Sequence, residues 1–165
     1  PDDAPPLTLA ALPGFQHTPH FLQRSWREHL GLSVQLMEDL PVEEILTRLR
    51  QGTVQLVLIG WEADYPDPDG ILRLLFHSAS PVNYFGWQNA TFDRLVDEAA
   101  ASTDRQERLA RYHRADRLLT AEETAIVPLY YRQAYSLLRP GFELEGGRVI
   151  RGGQLRLKHI RLASR

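Results

Sequence analysis

The chain has no cysteine among its 165 residues. That absence excludes disulfides, thiolate metal sites and thiol nucleophiles, and it leaves the compartment open, because cytosol and cell envelope both accommodate a cysteine-free protein. Lysine is nearly missing as well: Lys158 is the only one, so basic character rests on arginines scattered along the chain. With a formal net charge of −2 and no basic block, nothing invites nucleic acid or an anionic membrane surface. No apolar run approaches the roughly 20 residues that span a bilayer. Pro1 to Pro6 do not read as a signal peptide, so an exported parent would carry its signal upstream or have lost it. What is present is ordinary: 43% hydrophobic and 24% charged residues suffice for one domain with a real core.

The apolar pattern sets out an order of elements. Leu7 to Leu12 is a short apolar run closed by Pro13-Gly14, which reads as strand and turn. Thr18-Pro19 predicts a helix start with Thr18 as the cap, and Phe21, Leu22, Trp26 and Leu30 continue at helical spacing to Gly31. Leu32, Val34 and Leu36 alternate with polar residues as a half-buried strand does. Pro41 opens a second helix with Ile45, Leu46 and Leu49 inward, ended by Gly52; Val54 to Ile59 is nearly all apolar, the mark of a strand covered on both faces. Strand–helix–strand–helix–strand argues for an α/β fold with a mostly parallel sheet flanked by helices.

Helices dominate the middle of the chain. Asp67 is placed to cap a helix opened by Pro68 and running through Phe76. A further helix is expected from Asn89 to about Ala101. Another begins at Thr103, where Gln106 completes a capping box, and carries Leu109, Tyr112, Leu118 and Leu119. Val127 to Tyr131 and Gln133 to Leu138 read as strands. The tail from Gly141 is glycine-broken, with an edge strand expected within Gln154 to Leu162.

Ligands of open parallel sheets bind outside the carboxyl ends of the strands. The loop Gly60 to Pro68 comes after the most buried strand at that end, offering Trp61 and Tyr65 as stackable walls and Asp64 as an anion. A partly enclosed carboxylate suits an ammonium, because charge-assisted hydrogen bonds strengthen in low dielectric. The plainer reading makes these aspartates turn and cap residues and the aromatics core. Asp67 favours the cap; for Asp64 the residues alone leave both readings standing. Asn83, among the aromatics Tyr84, Phe85 and Trp87, is hard to place in a core and is a candidate for bonding a ligand or another domain. The six histidines show no metal spacing, and no catalytic elbow, P-loop or dinucleotide fingerprint exists. Neither an enzyme, a metal nor a cofactor is expected.

The run Gly60-Trp61-Glu62-Ala63-Asp64-Tyr65-Pro66-Asp67-Pro68 resembles the "G-W-x-A-D-Y-P-D-P" signature of family 5 extracellular solute-binding proteins. The likeness continues in order through Leu75-Phe76-His77-Ser78, Asn83-Tyr84, Asn89 with Phe92-Asp93-Arg94-Leu95, Glu107-Arg108 with Tyr112, and Val127-Pro128-Leu129-Tyr130-Tyr131. It covers roughly residues 7 to 140. The resemblance implies the second, C-terminal lobe of a periplasmic-binding-protein clamshell of type II, which closes on a ligand and delivers it to an ABC permease. It implies short peptides as ligands, with Asp64 holding the α-ammonium and Trp61, Glu62 and Tyr65 beside the main chain; Asn83 and Tyr84 complete the candidate set. Residues 1–140 are thus expected to form the lobe and 141–165 a tail that matches nothing in the family. The N-terminal lobe is absent from this sequence.

Two other functions stand beside that expectation. The same lobe fused to a transcriptional regulator would sense a small molecule in the cytoplasm, whereas a receptor would work in the periplasm or anchored outside the cell. A peptide hydrolase would need a nucleophile or metal that the sequence does not offer. An aromatic lobe face without its partner lobe is also a candidate dimer contact.

Overall fold

The computed structural model describes residues 7–15, 17–133, 137–144 and 159–162. The chain divides into two compact units, Pro1–Ile126 and Val127–Arg165.

The first unit begins with a three-stranded parallel sheet in the order β2-β1-β3, made of β1 (Leu7–Ala11), β2 (Val34–Met37) and β3 (Leu56–Leu58). β1 is central: Leu7 pairs with Val34 on one side, and Leu9 pairs with Leu56 on the other. Alternation along the strands sends side chains to opposite faces. Leu9, Val34 and Leu58 face one way, where Leu22 and Trp26 of α1 (Thr18–Leu30) cover them. Ala10 and Val57 face the other way, against Ile45 of α2 (Val42–Arg50) and Val54. The neighbouring strands and the two-sided burial of β3 are those expected from the apolar pattern. Thr8 and Gln55 lock the start of the β1–β3 pair, with Thr8 Oγ1 2.6 Å from the Gln55 side-chain oxygen.

Local chemistry moves several boundaries. The first helical bond of α1 runs from Phe21 N–H to the His17 carbonyl, so His17 occupies the cap position and Thr18 is the first helical residue. Gly31 ends α1 in the left-handed conformation (φ 66°), and the Leu32 N–H bonds back to the Trp26 carbonyl. That bond keeps Leu32 in the helix cap, and the β2 ladder starts only at Val34.

Beyond the sheet, the segment opened by Pro68 splits into a 3₁₀ turn (Pro68–Gly70) and α3 (Leu72–Phe76). Asn89 caps α4 (Ala90–Ala101), accepting the N–H groups of Thr91 and Phe92. The cap of α5 (Arg105–Arg117) is Asp104, not Thr103: its carboxylate accepts from the N–H groups of Gln106 and Glu107 at 2.8 and 3.0 Å. An anion suits the positive end of a helix better than a neutral hydroxyl. A π-helical turn (Leu118–Glu122) extends α5. Phe92, Val96 and Ala99 of α4 meet Tyr112 and Ala115 of α5, with Leu72, Leu75 and Phe76 of α3 closing the cluster. Phe85 and Trp87 pack on it, Phe85 stacking on Phe76 at 5.9 Å and Trp87 meeting the Phe92 ring edgewise at 5.0 Å.

In the second unit, β4 (Phe142–Leu144) and β5 (Ile160–Leu162) form an antiparallel pair in which Glu143 lies opposite Arg161. Within Gln154 to Leu162, Ile160–Leu162 form a strand that pairs with β4 and not with the parallel sheet; 154–158 lie outside the described residues. Val127 to Tyr131, read from sequence as a strand, carries no strand structure. Of the second segment, Gln133, Leu137 and Leu138 are not in a strand, and 134–136 lie outside the described residues. Composition alone does not make a strand: it needs a neighbour to complete its hydrogen-bond ladder and cover its side chains, and Tyr131 and Leu137 are almost fully exposed.

Ile45, 1% exposed, is the largest side chain buried beneath the α2 face of the sheet. Ile45→Ala is expected to lower unfolding stability by about 2–5 kcal/mol. The urea midpoint should fall with its slope unchanged; a change below about 0.5 kcal/mol would mean that α2 does not cover the sheet as described.

Candidate functional site

The site starts where β3 ends. Gly60 leaves the sheet beneath the buried Phe15, close enough that a Cβ at this position would sit 3.0 Å from the Phe15 ring. A side chain there would force the ring to shift, so glycine fits the close approach. The chain then runs through Trp61 to Pro68 and turns into the Pro68–Gly70 helix.

The four acidic residues of this stretch divide by orientation. Asp67 turns inward: one carboxylate oxygen caps the 3₁₀ turn by accepting the Asp69 N–H at 2.9 Å, and it also accepts from Arg108 of α5 at 2.7 Å. Asp69 takes the hydroxyl of Tyr112 of α5 on one oxygen at 2.8 Å and the hydroxyl of Tyr65 on the other at 3.1 Å. Arg108 also donates to the Tyr112 hydroxyl at 3.3 Å, and its guanidinium stands 4.9 Å from that ring's centre. The result is a polar clamp between loop and helix, built on Arg108 Nη2 and the Tyr112 and Tyr65 hydroxyls. Gly70 lies against the Tyr65 ring, where a Cβ would meet the ring at 3.3 Å.

Glu62 and Asp64 are exposed. Trp61 is 44% exposed, and Tyr65 keeps 47% of its surface open even though its hydroxyl is engaged. The loop thus has an inner side pinned by two aspartates and an outer side presenting Trp61, Glu62, Asp64 and Tyr65. Asn83 and Tyr84 sit in the loop between α3 and α4, both half-buried. The Asn83 amide nitrogen donates to the Trp87 carbonyl at 2.8 Å, holding that loop together, while its side-chain oxygen is buried with no hydrogen-bond partner among the described residues.

Two residues central to this geometry were not singled out from sequence as site residues: Arg108 and Tyr112. Their signal is an i, i+4 spacing on one face of a helix, with a charged and a phenolic group where an apolar stripe would be expected. Sequence spacing does not say that Asp67 and Asp69, about 40 positions earlier, meet that face.

A parallel α/β lobe with an aspartate-rich loop at the carboxyl edge of its sheet is the architecture of one lobe of a type II periplasmic binding protein. No model of a known protein family matches the chain, but individual relatives do. The chain is 30% identical over 115 residues to the periplasmic oligopeptide-binding protein OppA of Escherichia coli (strain K12), covering 70% of this chain and 21% of that protein. It is 32% identical over 126 residues to the probable deoxycholate-binding periplasmic protein YgiS of the same organism, covering 74% and 23% respectively. Its fold matches that of the Escherichia coli murein tripeptide binding protein MppA with a TM-score of 0.65, over 75% of this chain and 24% of that one; at 22% identity this likeness concerns fold alone. Over the part it shares with these relatives, the chain is similar to the family 5 extracellular solute-binding proteins. It spans about a fifth of the length of the curated relatives it matches.

Tyr112 is 2% exposed, and its hydroxyl is pushed well above the usual phenol range, first by burial and then by the bond to Asp69. Tyr112→Phe keeps the ring and removes the hydroxyl, and is expected to cost about 1–2 kcal/mol near neutral pH. The folded chain holds this proton more tightly than the unfolded chain, which releases it near pH 10. The hydroxyl's contribution is therefore full below about pH 10 and is lost as pH rises further. Urea unfolding of both proteins between about pH 8 and 11 should show the gap closing at the alkaline end; a gap that stays constant would mean the hydroxyl is not held as described.

Proposed function

We propose that the chain is the ligand-binding lobe of a solute-binding protein serving an ABC importer, working outside the cytoplasm on short peptides with a free amino terminus. The observation that carries this reading is the orientation of the Gly60–Pro68 loop: Asp67 and Asp69 are turned inward, leaving Asp64 and Trp61 on its exposed side at the carboxyl edge of the sheet. Asp64 receives the peptide's α-ammonium, Trp61 provides a flat wall for its main chain, and Glu62 and Tyr65 flank them. Asn83 and Tyr84, in the loop between α3 and α4, complete the proposed set. OppA is by name an oligopeptide-binding protein, which supports the peptide class. YgiS is by name a probable deoxycholate-binding protein, and deoxycholate is an anion. The exposed side of the loop carries two acids, Glu62 and Asp64, and residues 60–70 contain no lysine or arginine, which favours a cation on this face. Neither relative's name gives support to the regulator reading.

A clamshell encloses its ligand between two faces, and the one lobe here supplies one of them. A ligand on one face stays largely solvated, where polar contacts contribute little net free energy. Calorimetry with the 165-residue chain and trialanine should accordingly show no submicromolar binding. In a two-lobed protein carrying this chain, Asp64→Asn removes the counter-ion of an enclosed ammonium, a loss of about 3–5 kcal/mol, or two to three decades in affinity. N-acetylation of trialanine should produce most of that loss in the unsubstituted protein and add little in the variant. Equal binding of free and acetylated peptide would remove Asp64 from the ammonium site. Retained affinity in the variant together with a lowered Tm would make Asp64 a turn residue only.

A further inference from the structure

The loop that carries Asp64 and Trp61 has little secondary structure of its own: three residues of 3₁₀ helix at its far end and a glycine exit from β3 at its near end. A backbone of that kind holds a charge in place only when something outside it fixes the geometry. Here the fixing groups come from one turn of α5. Arg108 reaches Asp67, Tyr112 reaches Asp69, and Arg108 and Tyr112 bond to each other, linking four side chains across the junction, while the Asp69 backbone N–H on the Asp67 carboxylate closes the circuit. α5 is anchored in turn by the cluster containing Phe92, Val96 and Leu119, each fully buried. Rigidity passes from that core, through two side chains, to the segment that begins three residues after Asp64.

We propose that Arg108 and Tyr112 are positioning residues for ligand capture: they touch no ligand, and they set the place of the Asp64 carboxylate by clamping Asp67 and Asp69. This rests on the peptide-binding reading above, and it extends that reading to a helix that contributes nothing to the exposed face of the loop. Two consequences separate a positioning role from a general stabilising one. Loosening the clamp should free the loop locally while the sheet and α5 keep their protection. It should also weaken binding of a peptide with a free amino terminus more than binding of its acetylated form, since the acetylated form makes no use of the Asp64 charge.

The first arm of the test needs no ligand. The amides of Asp67, Asp69 and Gly70 are hydrogen-bonded within the loop, to the Tyr65 carbonyl, the Asp67 carboxylate and the Asp67 carbonyl. Hydrogen exchange of these three in the 165-residue chain is expected to quicken about five- to thirtyfold in Tyr112→Phe and in Arg108→Lys, with amides of β1 unchanged. Ile45→Ala, which lowers overall stability from the separate cluster beneath α2, is the control: it should not single out the loop. Unchanged loop exchange in both clamp variants would overturn the proposal. The second arm uses a two-lobed protein carrying this chain, titrated with trialanine and N-acetyl-trialanine at a temperature where every variant is folded. Tyr112→Phe should lower affinity for the free peptide about tenfold and for the acetylated peptide by much less, while Ile45→Ala leaves both near the unsubstituted values. Equal losses for the two peptides, or none, would reduce Arg108 and Tyr112 to structural residues and overturn the proposal. If Asp64→Asn alone leaves trialanine affinity intact, the ligand reading is what fails, and the positioning role for capture fails with it; the exchange arm still reports whether the clamp holds the loop.

Discussion

A buried phenol cannot leave its hydroxyl without a partner, because an unpaired polar group inside a protein forfeits its hydration for nothing. Tyr112 is such a phenol, and the acceptor it finds is the Asp69 carboxylate. The consequences run outward from that bond. A carboxylate brought against a core needs compensation, which arrives as the Tyr65 hydroxyl, while Arg108 secures the adjacent Asp67. Once Asp67 and Asp69 are drawn inward, the segment between β3 and the 3₁₀ turn has its inner side decided, and Trp61 and Asp64 remain on the exposed side. Asp67 also caps the turn with the same oxygen that meets Arg108. One side chain thereby ends a loop and ties it to a distant helix.

The sheet supplies the other fixed reference. Its strands are only three to five residues long, yet both faces are covered, α1 lying on one and α2 on the other. A parallel strand buried on both sides has no polar face to mark its direction, and its connections must cross over the sheet. Those crossovers place all three carboxyl ends on one edge, which is why the exit from β3 becomes a binding edge. Glycine at position 60 permits the loop to leave in close contact with the Phe15 ring.

Charge within the loop is partitioned in a way that suits capture of a cation. Two of its acids are spent on structure, Asp67 on Arg108 and the 3₁₀ turn and Asp69 on the hydroxyls of Tyr112 and Tyr65. Glu62 and Asp64 lie on the exposed side, in a place a ligand can reach. A second protein face lowering the local dielectric would strengthen that attraction, so the chemistry of this edge is completed by enclosure.

Much of the architecture was legible in the residues themselves. The apolar run of 7–12, the alternation of 32–36, the continuous run 54–59 and the helical spacing between them specify a parallel three-stranded sheet, because burial on one or two faces writes its period directly into the chain. The Asp67 cap and the start of α4 at Asn89 were legible for the same reason: capping is a contact over two or three residues. Chain-local chemistry also decided between Thr103 and Asp104, but there two adequate caps compete and the carboxylate prevails. What the order of residues does not contain is which distant groups meet. Val127 to Tyr131 has the composition of a strand, yet a strand exists only with its neighbour, and the described residues place none beside it. Sequence marks Asp67 as a cap, but it does not say which of Asp64, Asp67 and Asp69 turn toward the interior. Only the packing of α5, arriving some 40 positions later with Arg108 and Tyr112 on one face, assigns two of them to the inside and leaves the third on the exposed side of the loop.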